Sequence, residues 1–235
     1  FLPNFTLYMP YSTAKLEMIN YPLTTQMFAT WRQVGLQTTT KTKSVDFNFG
    51  IFNGADQPNN TSDNNDAKDL LLRADFKPTL EQADLRIGAY AWLGYGLPSF
   101  GGTILDDETL KRNRFGGFLK LDMKEIPLKI RGEFLTASTE NMTSTDIADV
   151  VTTDAIAIFG HIGYEITPKV EILARYDVYD PNNDVDDNGI SWFTVGVNHY
   201  LDGLNAMIYL NYISKMEQGT SIDNNLIQAQ VQILF

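Results

Sequence analysis

The 235-residue chain carries two histidines and no cysteine. His161 is followed by Ile162-Gly163 and His199 by Tyr200-Leu201, so neither sits in an H-E-x-x-H pair or beside a G-x-S-x-G elbow. Without cysteine there is no disulfide framework, thiolate zinc site, iron–sulfur cluster or thiol nucleophile. The expectation is a chain that is no enzyme and needs no cofactor. One loop places oxygen ligands at alternate positions: Asp180, Asn182, Asp184 and Asp186. It resembles the opening of a calcium loop, but Val185 stands where Gly is required and Ser191 where the bidentate Glu belongs. A solvated hairpin loop is the expected reading, with weak divalent binding as the alternative.

What remains is charge held at every second position. Asp69, Arg73, Asp75 and Lys77 oppose Leu70, Leu72, Ala74 and Phe76. Lys129, Arg131 and Glu133 oppose Leu128, Ile130, Gly132 and Phe134, while Glu171, Arg175 and Asp177 oppose Ile172, Ala174, Tyr176 and Val178. Period two is the signature of a strand. Twelve such segments are expected, near 5–12, 31–41, 44–54, 68–77, 83–95, 113–124, 127–138, 154–166, 169–180, 190–201, 205–215 and 225–235. Most match the 9–11 residues of a tilted strand crossing a bilayer, and exceed the 5–6 usual in soluble sheets. Tight turns alternate with long polar connections, as in outer-membrane barrels. Aromatic residues fall near segment ends (Phe52, Phe76, Trp92, Tyr95, Phe115, Tyr164, Tyr179, Tyr200, Tyr212), where interfacial girdles would put them. A soluble β-sandwich shares the alternation, but not the strand length or the asymmetry of the connections.

The predicted fold is therefore all-β, a single transmembrane antiparallel up-and-down β-barrel over residues 1–235 in the bacterial outer membrane. Its contacts would be outer-membrane lipid and lipopolysaccharide. No run approaches the 18 apolar residues of a spanning helix, and 18 Lys+Arg against 29 Asp+Glu argue against a nucleic-acid partner. The chain opens on Phe1 with no basic, then apolar, leader; the expectation is that a signal peptide and N-terminal strands are absent from this sequence.

Four stretches carry a resemblance. The chain ends on Phe235 after alternating apolar residues, like the assembly signal of outer-membrane proteins. Gly50-Ile-Phe-Asn-Gly54 precedes an Asn/Asp-rich loop and Lys68-Asp-Leu-Leu-Leu-Arg-Ala-Asp-Phe-Lys-Pro78. Gly163-Tyr-Glu-Ile-Thr-Pro-Lys-Val-Glu-Ile-Leu-Ala-Arg-Tyr-Asp177 leads into an acidic loop. Val195-Gly-Val-Asn-His-Tyr-Leu-Asp-Gly203 precedes Ala206-Met-Ile-Tyr-Leu-Asn-Tyr212. In order and spacing this resembles the C-terminal part of the phosphate-selective porin O/P family, from about residue 31 onward. The resemblance implies a sixteen-stranded barrel, of which these strands would be a part, and a homotrimer. A smaller closed barrel is the alternative.

With apolar faces toward lipid, the charged faces would line a pore: Arg73, Lys77, Arg86, Arg114, Lys120, Lys129, Arg131, Glu133, Glu171, Arg175 and Asp177. The expected function is passive diffusion of small hydrophilic solutes or ions, with an anion preference if the basic side chains form a strip. Cross-strand ion pairing that only stiffens the wall is the competing account. The alternatives in function are a scaffold barrel, subunit of a larger membrane complex, and a lipid-modifying barrel enzyme. Residues 13–30 are apolar without alternation. They would fold into the lumen as a constriction, form a mis-registered strand, or contact a partner.

Overall fold

A computed structural model describes residues 2–9, 11–29, 32–54, 65–101, 103–104 and 108–234. The expected assembly signal at Phe235 lies outside the described residues. Among the described residues alternation gives thirteen strands: β1 (Gly35–Lys41), β2 (Val45–Phe52), β3 (Asp69–Phe76), β4 (Ala83–Gly96), β5 (Ser99–Phe100), β6 (Thr103–Ile104), β7 (Leu110–Met123), β8 (Leu128–Met142), β9 (Val150–Thr167), β10 (Val170–Asp180), β11 (Ile190–Asp202), β12 (Ala206–Glu217) and β13 (Leu226–Ile233). Eleven form one antiparallel sheet in chain order, and β5–β6 is a separate hairpin in the β4–β7 connection. The sequence is thus an up-and-down meander with short turns at one end and long connections at the other. This is the all-β, outer-membrane barrel fold.

The faces divide as alternation requires. In β2, Asp46, Asn48 and Phe52 are buried while Phe47, Phe49 and Ile51 are exposed. Ile172, Val195, Leu210 and Val231 are exposed on the same outer face, whereas Arg131, Glu133, Glu171, Arg175 and Asp177 are buried on the inner one. Water would make such an exterior unfavourable, but acyl chains do not. Val195→Arg places a charge on the lipid face midway along β11. It is expected to cost about 2–4 kcal/mol, read as a lowered urea midpoint in phospholipid vesicles.

Two expectations are corrected. Among the described residues the sheet has eleven strands, and the expected segment at 5–12 adds none to it at 5–9 or 11–12. Phe5, Leu7, Tyr8 and Met9 in that stretch are all buried, so no polar side alternates with an apolar one. In consequence the sheet's first strand begins at the long-connection end, not the short-turn end. The aromatic girdle is also smaller. Phe76, Phe115, Tyr164 and Tyr212 face outward, but Phe52 and Trp92 are fully buried inside, their rings stacked at 5.1 Å. Tyr179 packs inward on Phe28 and Tyr200 donates to Glu171.

Candidate functional site

The concave face of the sheet is occupied by the described residues of the chain's own N-terminal segment, 2–9 and 11–29. They contain a 3-10 turn (Thr13–Lys15) and α1 (Leu23–Phe28). Phe5, Leu7, Met9, Leu16, Met18, Leu23 and Phe28 are each at most 6% exposed. Full burial of one such side chain is worth about 1.5–3 kcal/mol, which accounts for an apolar stretch lacking alternation: it is a core, not a wall. Phe5 meets the edges of Tyr90 and Trp92 at 4.9 and 5.5 Å.

This segment touches every strand of the sheet. Asn4 donates its backbone N–H to Gln37 of β1 and its side-chain amide to Asn48 of β2. The Thr6 carbonyl accepts from Arg73 of β3, and Phe5 packs on β4. The Lys120 ammonium of β7 lies 6.0 Å from the Tyr11 ring centre. Leu7 N–H donates to Glu133 of β8, and Tyr8 packs on Phe159 of β9. Asp177 of β10 accepts from Leu23 N–H, closing the first turn of a helix that has no side-chain cap of its own. Asn198 of β11 donates to the Glu17 carbonyl, Tyr209 of β12 to Leu16, and Gln232 of β13 to Ala14. A single short peptide can reach eleven strands only if the sheet curls around it.

The residues expected to line a pore are therefore placed, but mostly out of water. Arg73 forks onto Asp75 (2.7 and 2.9 Å), with its cation over the Phe118 ring. Lys77 pairs with Asp46 at 2.5 Å, and Arg86 lies 3.9 Å from Asp46 and 3.6 Å from Asp75. Lys120 is 3.9 Å from Asp122. Lys129 bridges Glu165 and Glu171 at 2.9 and 2.8 Å. Arg131 joins Glu17 (2.7 Å) to Asp122 (2.5 Å) and donates to the Leu121 and Ile130 carbonyls. Arg175 pairs with Asp177 at 2.7 Å and donates to the Asn20 carbonyl. Arg114 is half-buried on β7, opposite Trp92 and Ala137. Basic and acidic residues thus interleave as ion pairs instead of forming a basic strip. Such pairs leave little free charge to draw an anion.

Among the described residues no group of three or more His, Cys, Asp or Glu is gathered as for a metal ion, at Asp180, Asp184 and Asp186 or elsewhere. Their oxygens close the loop instead, Asp180 accepting from Asn182 N–H and Asn182 from Asp184 N–H.

The partners missed in the sequence are Tyr8, Glu17, Thr24, Tyr90 and Asn198. Glu17 gathers Arg131, the Tyr8 hydroxyl at 2.6 Å and His161 Nε2 at 3.8 Å. Burial alone would raise the Glu17 carboxyl, but Arg131, His161 and the Tyr8 hydrogen bond outweigh it and hold the carboxyl below 4.5. A depressed folded-state value means that the stabilisation is complete above pH 4.5 and is lost as pH falls through the lower value. Cleavage of the segment around Leu16 by pepsin, which is active in that range, is therefore expected to accelerate below that pH in wild type, and to do so less in Glu17→Gln.

No family model matches this chain, and no curated protein matches it. Two solved structures share its fold. One is OmpTdeltaL8, a loop L8 deletion mutant of OmpT, an outer membrane protein of Vibrio cholerae, with 15% identity and a TM-score of 0.54. The other is in-vitro folded OmpT from the same organism, with 14% identity and a TM-score of 0.50. Each match covers 84% of this chain and 61% of the other, so the chain spans less than two thirds of those proteins. Two functional expectations are corrected. Passive diffusion required an open, wet, charged lumen, whereas Arg131, Glu133, Glu171, Arg175 and Asp177 are all under 5% exposed beneath the N-terminal segment. The exclusion of enzymes rested on motifs of neighbouring residues. The fold joins His161 to Glu17 and Tyr8 from far apart in sequence, and the barrel shared with OmpT is no bar to catalysis. The lipid-facing exterior and the shared fold place the chain in the bacterial outer membrane.

Proposed function

We propose that the chain is a scaffold wall of the outer membrane, an internally filled barrel segment that serves as a subunit of a larger membrane assembly. The observation that carries this reading is the lumen segment, which hydrogen-bonds or packs against all eleven strands and covers the buried charges of Arg131, Glu133, Glu171, Arg175 and Asp177. The apolar belt would be solvated by lipid, the long-connection rim by lipopolysaccharide, and self-association as a homotrimer is one form of the assembly. The resemblance to the phosphate-selective porin O/P family is proposed as kinship of the strand framework alone. In planar bilayers the purified protein is expected to pass no steady ion current at neutral pH, while deletion of residues 2–29 opens one. A steady wild-type current would overturn the reading.

A second reading, a lipid-modifying barrel enzyme, is favoured by one observation: the His161 Nε2 atom is buried without a hydrogen-bond partner, 3.8 Å from Glu17. Phospholipid hydrolysis abolished by His161→Ala would establish it.

A further inference from the structure

The two edges of the sheet, β1 and β13, have no strand beside them among the described residues. Their outward side chains show it. Leu36, Ile227, Val231 and Ile233 are 66–80% exposed, against 54% for Phe47 and 38% for Val195, which have neighbours on both sides. In lipid, each unpaired backbone N–H and C=O costs several kcal/mol, so a bare edge does not persist in a bilayer. The edges are therefore covered, and strand direction says by what.

The β1–β2 turn is short, with Thr42 N–H donating to the Val45 carbonyl, so β1 runs toward the short-turn end. The β11–β12 connection is also short and the β12–β13 connection long, so β13 runs the same way. Joined directly, the two edges would pair in parallel, against the antiparallel pairing throughout the sheet. The same objection removes a second copy of this chain: its β1 beside this β13 would again be parallel.

We infer that the open seam is filled by an odd number of membrane-spanning strands. They are amphipathic with period two, apolar toward lipid and polar toward the lumen segment, and the strands bordering β1 and β13 run toward the long-connection end. This rests on the membrane reading of the exterior, and it replaces the even complement that twelve strands would have required. The polar side is already prepared. Gln37 accepts from Asn4 beside one edge, and Gln228 accepts from Asn20 at the other, so the lumen segment reaches both margins of the gap.

The chain has no cysteine, so two labels can be placed cleanly. Thr38→Cys on β1 and Ala229→Cys on β13 would carry spin labels in protein extracted from outer membranes with its partner strands in place. At about 4.8 Å per strand, one, three or five strands separate the labels by about 10, 19 or 29 Å. Two or four give about 14 or 24 Å and overturn the inference, as does a direct disulfide between the two positions. Amide exchange in β1 and β13 should be as slow as in β8 and β9; free exchange at the edges overturns it too. Failure of the chain to fractionate with outer membranes would instead sink the membrane reading, independently of the distances.

Discussion

Arg131→Leu is expected to destabilise the protein by about 3–5 kcal/mol, the cost of breaking a buried ion pair from one side. Arg131 is 3% exposed and its guanidinium satisfies Glu17, Asp122 and two carbonyls. Without it, Glu17, whose side chain is 17% exposed, keeps the Tyr8 hydroxyl and the His161 ring as its nearest partners. The lumen segment should then detach first, since Glu17 belongs to it and Arg131 to the wall. Trypsin would cut at Lys15 before any strand unfolds, and the urea midpoint would fall. The double variant Arg131→Leu with Glu17→Leu removes both charges and should recover most of the loss, because an apolar pair of similar volume is often neutral. If the single variant loses less than about 1 kcal/mol, as an exposed pair would, the pair is wet and the lumen is not sealed there.

How much of this could be read from the sequence depended on which period a segment obeyed. Wherever apolar and polar residues alternate, as from Val45 to Phe52 or Glu171 to Val178, inside and outside were legible, because a strand has only two faces. The stretch from Leu2 to Ala29 obeys neither period. Most of its apolar residues are buried by a curved wall, whichever side of the backbone they lie on, so nothing in its spacing announces the fold. Ion pairing was illegible for a related reason. Arg73 with Asp75, and Arg175 with Asp177, stand two apart on one face and could have been guessed. Arg131 with Glu17 could not, since the register between lumen segment and wall is set by tertiary packing alone. Ring placement failed at Phe52 and Trp92 because position near a strand end says nothing about face, and face is decided by parity: both share their inner side with Asp69 and Phe5.

Glu133 is the second place where wall and lumen segment are fastened, and its loss should be as costly. The carboxylate is 3% exposed and accepts from Leu7 N–H at 2.6 Å, the Thr24 hydroxyl at 2.6 Å and the Tyr90 hydroxyl at 2.8 Å. Leu7 and Thr24 lie at opposite ends of the lumen segment, so one side chain of β8 ties both ends to the wall. The Thr6 and Thr25 hydroxyls, 3.0 Å apart, brace the same two ends. Glu133→Leu strands three donors. The hydroxyls can turn toward other acceptors, but the Leu7 N–H is fixed by its backbone. At about 1–3 kcal/mol for each donor left buried and unpaired, the loss should reach about 3–5 kcal/mol in urea unfolding. Glu133→Gln keeps an acceptor for one or two of the three and should lose about half as much. The two variants separate hydrogen bonding from packing: if Glu133→Leu is no worse than Glu133→Gln, the site is held by the surrounding apolar contacts of Leu7 and Tyr90, and the carboxylate is incidental to the closure of the lumen.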